Sequence, residues 1–306
     1  MSALRIVSFL PAATEMIYLL GLGDNLVGRS HECDYPTQVK DKPVIVDCAL
    51  NLSKMSMAEI DVAVTKQIAS GKSLYKVDET KLRAAAPNLL VTQNLCQVCG
   101  PAGNEVSQVL KTLSAPPKII WQTPRSFEEV LEAVRTLGKE TGTEEKANDW
   151  AERAVSQVQE ISSTTKRLER VRVSFLEWVD PIYCGGHWIP QMLEWAGAED
   201  RNSKDGMDSV RISWEKVLDY QPEVLIVSPC GFKIAKTLKQ SVLLKQRPGW
   251  NDLPAVRQRK VYAVDANAYF ARPGPRIVEG VELLAHLIHP EDFAWTGPAD
   301  AYRQVC

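Results

Sequence analysis

The chain has 306 residues, of which 45% are hydrophobic and 24% are charged, and its formal net charge is -2. A chain of this length can bury one large core or two ordinary ones. The near-neutral charge gives no electrostatic reason to expect binding to nucleic acid or to an anionic membrane surface. The apolar runs are too short to span a membrane.

The seven cysteines are an odd number in a chain of this size, which favours reduced thiols over a disulfide framework. The first predicted strand begins within a few residues of Met1, so we expect no signal peptide or lipid-attachment cysteine at this N-terminus. These two features predict a cytoplasmic protein. A periplasmic or surface location is the alternative if a leader has been removed.

The first part of the chain alternates predicted strands with predicted helices, which is typical of a parallel sheet covered on both faces. The predicted strands are Arg5–Phe9, Leu26–Gly28, Leu89–Thr92 and Lys118–Trp121. The predicted helices are Ala13–Leu20, Met57–Ser70, Glu79–Ala85, Glu105–Leu113 and Phe127–Glu140.

A long stretch without Gly or Pro, from Thr143 to Asp180, follows this region. A helix over Glu144–Leu168 would be about 37 Å long at 1.5 Å per residue, more than one small lobe requires. Its apolar residues form one stripe, at Ala147, Trp150, Ala151, Ala154, Val155, Val158 and Ile161. We therefore expect a connecting helix between two lobes, with a cleft formed by the lobes.

The second part repeats the pattern of the first, because each part opens with a buried strand, a turn and a helix that ends at a glycine. The predicted strands are Val171–Glu177, Val224–Val227 and Lys260–Val264. The predicted helices are Ile189–Trp195, Trp214–Leu218, Ile234–Leu243 and Arg276–Ile288. The predicted domains are an N-terminal α/β lobe over 1–124, a helical connection over 125–169, and a C-terminal α/β lobe over 170–306.

Ligands of open parallel sheets bind beyond the carboxyl ends of the strands, so the segments that follow the strands are the candidate site. These segments are rich in aromatic residues, Cys and His and contain few charges. They predict a largely apolar pocket with a few polar groups, which suits a large organic ligand. The segments are 11–15, 30–36, 92–100, 178–188, 228–232 and 265–276.

Two thiols in the spacing CQVC, Cys96 and Cys99, raise the question of a metal site together with His31 and Cys33. A second CxxC or a His pair is missing. Three interpretations stay open: a zinc or iron site, thiols that are buried or face a ligand, and a redox dithiol.

His187 follows two glycines where a loop leads into a helix, and we expect it to be exposed to the cleft. It is either a polar fixture of the site or a ligand of a metal such as cobalt. The loop aromatics Tyr183, Trp188, Tyr269 and Phe270 are either core residues or ligand contacts. A phosphate-binding glycine loop is absent, as are a Ser-His-Asp order and a nucleophile elbow, so the chain is not expected to be an enzyme.

Several segments together resemble one known family over nearly the whole chain. They are `RIVSFLPAATEMIYLLGLGDNLVGRSHECDYP`, `LYKVDETKLRAAAPNLLVTQNLCQVCG`, `GGHWIPQMLEWAGAED`, `ISWEKVLDYQPEVLIV` and `YFARPGPRIVEGVELLAHLI`. The chain resembles the helical-backbone (class III, TroA-like) substrate-binding proteins of ABC importers, and within them the cobalamin-binding branch. Related branches bind haem, siderophores or metal ions.

The resemblance implies two Rossmann-like α/β lobes with parallel sheets, joined by one long backbone helix, that hold a corrinoid without altering it. It implies a corrin contact for Glu32, and a position for Gln93 where some members have a stacking Trp. It also implies docking of Glu105 and Glu215 on an importer. The candidate ligand-binding residues are Pro11, Thr14, Glu32, Cys33, Tyr75, Gln93, Cys96, Trp178, Tyr183, His187, Trp188, Cys230, Tyr269, Phe270, Ala271 and Arg272.

Two departures from the family pattern are visible. The aromatic residue expected near Gln93 is missing, and Trp195 and Ala285 replace a cysteine pair of some exported relatives. The sequence thus predicts a non-catalytic, monomeric binding protein for cobalamin or a related corrinoid, used in delivery, storage or uptake. Its partners would be the corrinoid and either an ABC importer permease or a cytoplasmic acceptor. The alternatives are a zinc or iron protein using His31, Cys33, Cys96 and Cys99, and a haem- or siderophore-binding protein of the same fold.

Overall fold

The computed structural model of the protein describes residues 3–93, 110, 113 and 115–306. The chain divides into two compact units. Unit 1 comprises Met1–Pro124 and Glu128–Ala151, and unit 2 comprises Arg125–Phe127 and Glu152–Cys306. The predicted domain limits at 124 and 169, and the predicted cleft, stay predictions.

Unit 1 contains a six-stranded sheet in the order β4-β3-β2-β1-β5-β6. All neighbouring strands are parallel except β4, which is antiparallel to β3. Its central strand β1 is fully buried, as is β5 beside it, because helices cover both faces of a parallel sheet. The strands are β1 Ile6–Ser8, β2 Leu26–Ser30, β3 Val44–Cys48, β4 Tyr75–Val77, β5 Leu89–Thr92 and β6 Lys118–Trp121.

The prediction from sequence found four of these strands and missed β3 and β4. Strand β4 has only three residues, and its middle residue Lys76 is exposed, so it gives almost no apolar signal. Strand β3 lies directly after Pro43, and its last two residues, Asp47 and Cys48, are not buried. The predicted helix Glu105–Leu113 lies almost entirely outside the described residues.

The helices of unit 1 begin where the sequence supplies local capping groups. Helix α1 starts at Pro11 rather than at the predicted Ala13, because proline suits the first turn of a helix. Ser56 and Glu59 form a capping box before α2, and Asp78 caps α3 by accepting from the Lys81 amide at 3.0 Å. The helices are α1 Pro11–Leu19, α2 Met57–Ala69, α3 Glu79–Ala85 and α4 Phe127–Thr141, the last beginning at the boundary with unit 2.

The long predicted helix is α5 Glu144–Thr165, and the boundary between the two units falls within it, after Ala151. It ends three residues before the predicted Leu168. The Thr165 hydroxyl donates to the carbonyl of Trp195 at 2.8 Å, which ties the helix end to the following part of unit 2. The predicted apolar stripe is confirmed, since all its members are buried except Val155, which is half-buried.

Unit 2 contains a sheet in the order β12-β11-β10-β7-β8, with β9 pairing separately with the start of β7. Strand β10 is parallel to both neighbours, whereas β8 and β12 are antiparallel edge strands. The sequence reading missed β8, β9 and β12, which have only two or three residues each. The strands are β7 Val171–Val179, β8 Ile182–Cys184, β9 Ala198–Glu199, β10 Val224–Val227, β11 Val261–Val264 and β12 Tyr302–Gln304.

The helices of unit 2 return the chain from each strand to the next. They are α6 Ile189–Trp195, α7 Trp214–Tyr220, α8 Ile234–Ser241, α9 Pro254–Arg257, α10 Ala266–Tyr269 and α11 Ile277–Ile288. Helix α11 is buried along most of its length, at nine of its twelve residues. None of the described helices is long and apolar enough to cross a membrane.

Candidate functional site

The candidate groups of unit 1 follow β1, β2, β5 and β6 at the carboxyl edge of its sheet. Two of them, Thr14 and Cys33, are buried and bonded to each other rather than presented on the surface. The Thr14 hydroxyl lies 2.9 Å from Ser8 Oγ and 3.0 Å from Cys33 Sγ. This polar contact joins β1, α1 and the loop after β2, and it fixes the backbone that carries Pro11 and Glu32.

The loop after β2 is held from inside by a buried arginine. The Arg29 guanidinium donates to the carbonyls of Ser30, Cys33 and Lys42 at 3.1 to 3.2 Å. Because several carbonyls share this charge, the loop that follows has a defined shape. Tyr35 lies on this loop with 48% of its surface exposed.

His31 lies beside two carboxylates, Glu32 and Asp47. Its Nε2 is 3.2 Å from Glu32 and its Nδ1 is 3.8 Å from Asp47. The hydrogen bond with Glu32 raises the pKa of His31, and burial opposes that shift. The ring of Tyr75 lies 6.5 Å from that of His31. Within the described portion of the chain, no group of three or more His, Cys, Asp or Glu residues could hold a metal ion. Cys96 and Cys99 lie outside that portion.

Gln93 and Trp121 occupy the ends of neighbouring strands. Thr92 of β5 pairs with Trp121 of β6, so the tryptophan is beside the residue that precedes Gln93. Gln93 is buried, whereas Trp121 is 44% exposed. The sequence reading noted a missing aromatic residue near Gln93 and overlooked that the neighbouring strand supplies one. The signal was a tryptophan as the last residue of a predicted strand.

The carboxyl edge of unit 2 has a different character, because most of its aromatic residues are internal. Trp188 is only 6% exposed, and its indole N–H donates to the carbonyl of Phe270 at 2.9 Å. Phe270 is buried against Phe175, with ring centroids 5.3 Å apart. Tyr269 is buried beside Trp295, and this burial raises its pKa to about 12. Of the two interpretations of these loop aromatics, the geometry favours core residues for Trp188 and Phe270.

Trp178 and Tyr183 lie closer to the surface. The Trp178 ring packs 5.3 Å from Phe232, and Tyr183 accepts a hydrogen bond from Arg211 Nε at 2.8 Å. The Arg211 guanidinium also lies over the Tyr183 ring, 5.6 Å from its centroid. Cys230 is exposed, Ala271 is half-buried and Arg272 is buried.

His187 is half-buried, and its exposure to a cleft stays a prediction. Its side chain is 14% exposed, and its Nε2 lies 3.1 Å from Asp208 Oδ1, which Arg125 also contacts at 3.0 Å. Burial lowers the pKa of His187, so the imidazole is neutral at pH 7. Its backbone has a φ of 52°, in the left-handed region that is costly for a residue with a Cβ.

One of the two predicted docking acids, Glu215, lies within the described residues. Glu215 lies in the first turn of α7, and a hydrogen bond with its own backbone amide is the main cause that lowers its pKa. It is therefore an ionised surface carboxylate at neutral pH. Glu105 lies outside the described residues.

Two α/β units, each with candidate ligand groups at the carboxyl edge of its sheet, place the chain in the class of two-unit α/β proteins. The profile of one family, described as periplasmic binding protein, matches residues 6–268. The chain belongs to this family, and it is a non-catalytic substrate-binding protein of the ABC-transporter type.

Three relatives illustrate the similarity. The chain is 27% identical to the uncharacterized ABC transporter substrate-binding lipoprotein YvrC of Bacillus subtilis, over 94% of this chain and 81% of that protein. It is 23% identical to the vitamin B12-binding protein of Vibrio parahaemolyticus, over 92% of this chain and 88% of that protein. The fold matches the periplasmic heme-binding protein RhuT from Roseiflexus sp. RS-1 with a TM-score of 0.71 and 20% identity, over 94% and 99% of the two chains.

These comparisons overturn the predicted cytoplasmic location. The family is one of periplasmic proteins, and the Bacillus relative is a lipoprotein of an ABC transporter. The inference from the cysteines was wrong because an odd number of cysteines shows only that at least one has no partner within the chain, and that does not identify a compartment. The predicted cytoplasmic acceptor is withdrawn together with the cytoplasmic location. A small-molecule ligand and a permease partner are supported.

Proposed function

We propose that this chain binds cobalamin or a related corrinoid and delivers it to the permease of an ABC importer. The observation that carries this proposal is the pair of large exposed aromatic side chains, Tyr35 and Trp121, at the carboxyl edge of the unit 1 sheet. Large rings left in water at the edge where α/β sheets bind ligands are typical of a binding surface.

A corrinoid suits these rings for a chemical reason. Its macrocycle is broad and apolar, so aromatic side chains can pack against it without a charged clamp. Its peripheral amides can pair with polar groups such as Gln93, whose buried Nε2 has no hydrogen-bond partner among the described residues. The vitamin B12-binding relative supports the same ligand class.

The proposed contacts form two groups. In unit 1 they are Tyr35, Trp121, Gln93, Glu32 and Tyr75, and in unit 2 they are Trp178, Tyr183 and Cys230 with the loop at His187. Thr14, Cys33, Trp188 and Phe270 are assigned to support these contacts from within the two cores. Glu215 is the proposed permease contact in unit 2, because it is an exposed carboxylate.

Haem is the second candidate, because the RhuT fold neighbour is a heme-binding protein. Both ligands are large macrocycles, and exposed aromatic rings suit either. A central haem iron is normally held by a His, Cys, Met or Tyr side chain. Both ring nitrogens of His31 lie near carboxylates, so this histidine is not placed to hold an iron.

The test is a parallel titration of the purified full chain with cyanocobalamin, haemin, and zinc or ferrous salts, followed by calorimetry and visible absorbance. We expect saturable one-to-one binding of cyanocobalamin with a dissociation constant in the micromolar range or tighter. Saturable binding of haemin alone would replace the proposal with the haem alternative. Stoichiometric metal uptake without macrocycle binding would replace it with the zinc or iron alternative.

A further inference from the structure

The loop that follows β11 joins the proposed ligand contacts of unit 2. It comprises residues 265–272, includes the short helix α10, and is called here the 265–272 loop. Its Asn267 amide donates to the carbonyl of Phe232, in the segment after β10, at 3.3 Å. Its Phe270 carbonyl accepts from the indole of Trp188, in the loop before α6, at 2.9 Å. The 265–272 loop is therefore bonded to both segments that carry proposed contacts after these strands.

A segment near the C-terminus packs against this loop. It comprises residues 293–302, which run from the end of α11 into β12 and are mostly exposed, and we call it the 293–302 segment. The Trp295 ring lies edge-on to that of Tyr269, with centroids 5.8 Å apart and an interplanar angle of 87°. The Ala301 carbonyl accepts from the Asp265 amide at 2.8 Å. The segment thus contacts the 265–272 loop at its first residue and at the end of α10.

The turn that carries Trp295 also fixes the position of its ring. The indole N–H donates to the carbonyl of Pro298 at 3.0 Å. Gly297 lies so close to the ring that a Cβ at this position would overlap the indole carbons. Because the ring has the turn on one side and Tyr269 beside it, it has little freedom to move.

One histidine joins the two ends of the 293–302 segment. His286 Nδ1 lies 2.8 Å from the carbonyl oxygen of Phe293, and His286 Nε2 lies 2.9 Å from the Tyr302 hydroxyl. A carbonyl oxygen can only accept, so in the neutral imidazole Nδ1 carries the hydrogen and Nε2 accepts from Tyr302. His286 lies on α11, which is largely buried, so both ends of the segment are anchored to the core of unit 2.

We propose that Trp295 is a positioning residue for the ligand contacts of unit 2: its indole holds Tyr269 in place and, through the 265–272 loop, the two segments bonded to that loop. Trp295 acts through Tyr269 and is not itself a ligand contact. A loop that is already ordered loses less conformational freedom when a ligand binds, so this packing favours binding. The sequence reading did not select Trp295, because it considered only the segments that follow strands.

The effect on the ligand rests on the proposed function, whereas the effect on the loop does not. The first measurement therefore uses no ligand and follows backbone hydrogen exchange of the full chain by mass spectrometry. We expect Trp295→Ala to speed exchange in the 265–272 loop about tenfold or more, and to change the central strand β10 much less. Trp295→Phe keeps an aromatic ring and should restore most of the protection.

The matched control is Thr296→Ala, at an exposed residue of the same turn, which should leave exchange in the loop unchanged. Unchanged exchange of the 265–272 loop in Trp295→Ala would overturn the proposal. An equal increase in the loop and in β10 would also overturn it, because the effect would then be a general loss of stability.

Gly297→Ala keeps the proposal testable if Trp295→Ala does not fold. The added methyl group displaces the indole without removing it, so we expect a smaller increase in exchange of the same loop. Unchanged exchange in this variant would overturn the proposal. In the double variant the methyl group has no ring to displace, so Gly297→Ala should add nothing to the effect of Trp295→Ala. Additive effects would mean that the turn acts by a route other than the indole, which contradicts the proposal.

The second measurement uses cyanocobalamin as the probe. Its dissociation constant is expected to rise about fivefold or more in Trp295→Ala, because this variant must order the loop on binding. Trp295→Phe should return it most of the way to the wild-type value. Equal affinity of the wild type and Trp295→Ala would overturn the link between Trp295 and the ligand contacts. If cyanocobalamin does not bind the wild type while the loop responds to Trp295→Ala, the proposed function has failed and the positioning of the loop stands.

Discussion

Aromatic residues at the carboxyl edge of the sheet differ in exposure between the two units, although both edges carry candidate ligand groups. Unit 1 leaves Tyr35 and Trp121 in water at this edge. Unit 2 buries Trp188 and Phe270 and bonds the indole of one to the backbone of the other. These aromatic residues, which lie at or after the carboxyl ends of strands, are therefore exposed in unit 1 and part of the core in unit 2.

The contrast bears on the role that we propose for each edge. Exposed rings gain apolar contact only when a ligand covers them, so they favour binding. Buried rings gain it on folding, so they fix the loops that surround them. We infer that the unit 1 edge supplies contact area, and that the unit 2 edge supplies a preorganised loop around His187.

The largest expected effect tests whether the buried aromatic residues of unit 2 stabilise the fold. Trp188→Ala removes a buried indole and its hydrogen bond, and we expect it to lower the free energy of unfolding by about 3 to 5 kcal/mol in urea titrations. Tyr35→Ala is the matched control at an exposed ring and is expected to change it by less than about 0.5 kcal/mol. Equal losses for the two variants would remove the distinction between the units.

The second expected effect concerns the pH dependence of stability. Burial raises the pKa of Glu177, near the carboxyl end of β7, from the ordinary 4.5 to about 7. Between these values the folded chain keeps a proton that the unfolded chain has released, so the wild type loses stability as pH rises through this window. Relative to Glu177→Gln, we expect a loss on the order of 2 kcal/mol that levels off above the upper value. Parallel stability curves for the two proteins would contradict the raised pKa.

The third expected effect tests whether the exposed aromatic residues of unit 1 contact the ligand. Trp121→Ala removes an exposed ring, and we expect it to weaken cyanocobalamin binding about tenfold, or ~1.4 kcal/mol, with little change in unfolding. Trp121→Phe keeps an aromatic face and should restore most of the affinity. Calorimetric titration measures both, and full affinity in Trp121→Ala would exclude this ring from the ligand surface.

The smallest effect concerns a residue that the sequence assigned to the ligand. Thr14→Val keeps the shape but removes the hydroxyl bonded to Ser8 and Cys33, and we expect a loss of about 1 kcal/mol in stability. Affinity for cyanocobalamin should change little, because the hydroxyl is internal and acts only through the backbone that carries Glu32. Thr80→Val, on an exposed helix face, is the control for stability. A large loss of affinity in Thr14→Val would return Thr14 to the ligand surface.

The sequence predicted the fold where elements are long or fully apolar. Helix α5 and the central strands β5 and β10 have clear periodicity or continuous apolar runs, and their bounds agree with the structure to within three residues. The edge strands β4, β9 and β12 were missed, since two or three residues carry too little pattern.

The candidate site was predicted less well, and the reason is physical. Loop sequence shows which residues follow a strand but not which of them turn inward. Trp188 and Trp121 both lie after or at strand ends, and only the packing of α6 and α10 separates the buried ring from the exposed one. Which side chains turn inward depends on contacts between segments that are distant in sequence, such as the bond from the Trp188 indole to the Phe270 carbonyl.

The most direct test of the account is hydrogen exchange of the full chain with and without saturating cyanocobalamin. We predict protection of the segments that carry Tyr35 and Trp121, together with the loop Gly185–Trp188, and no change in α2 of unit 1. Saturation of the chain by cyanocobalamin without protection of the segments that carry Tyr35 and Trp121 would contradict the claim that these rings form the ligand surface.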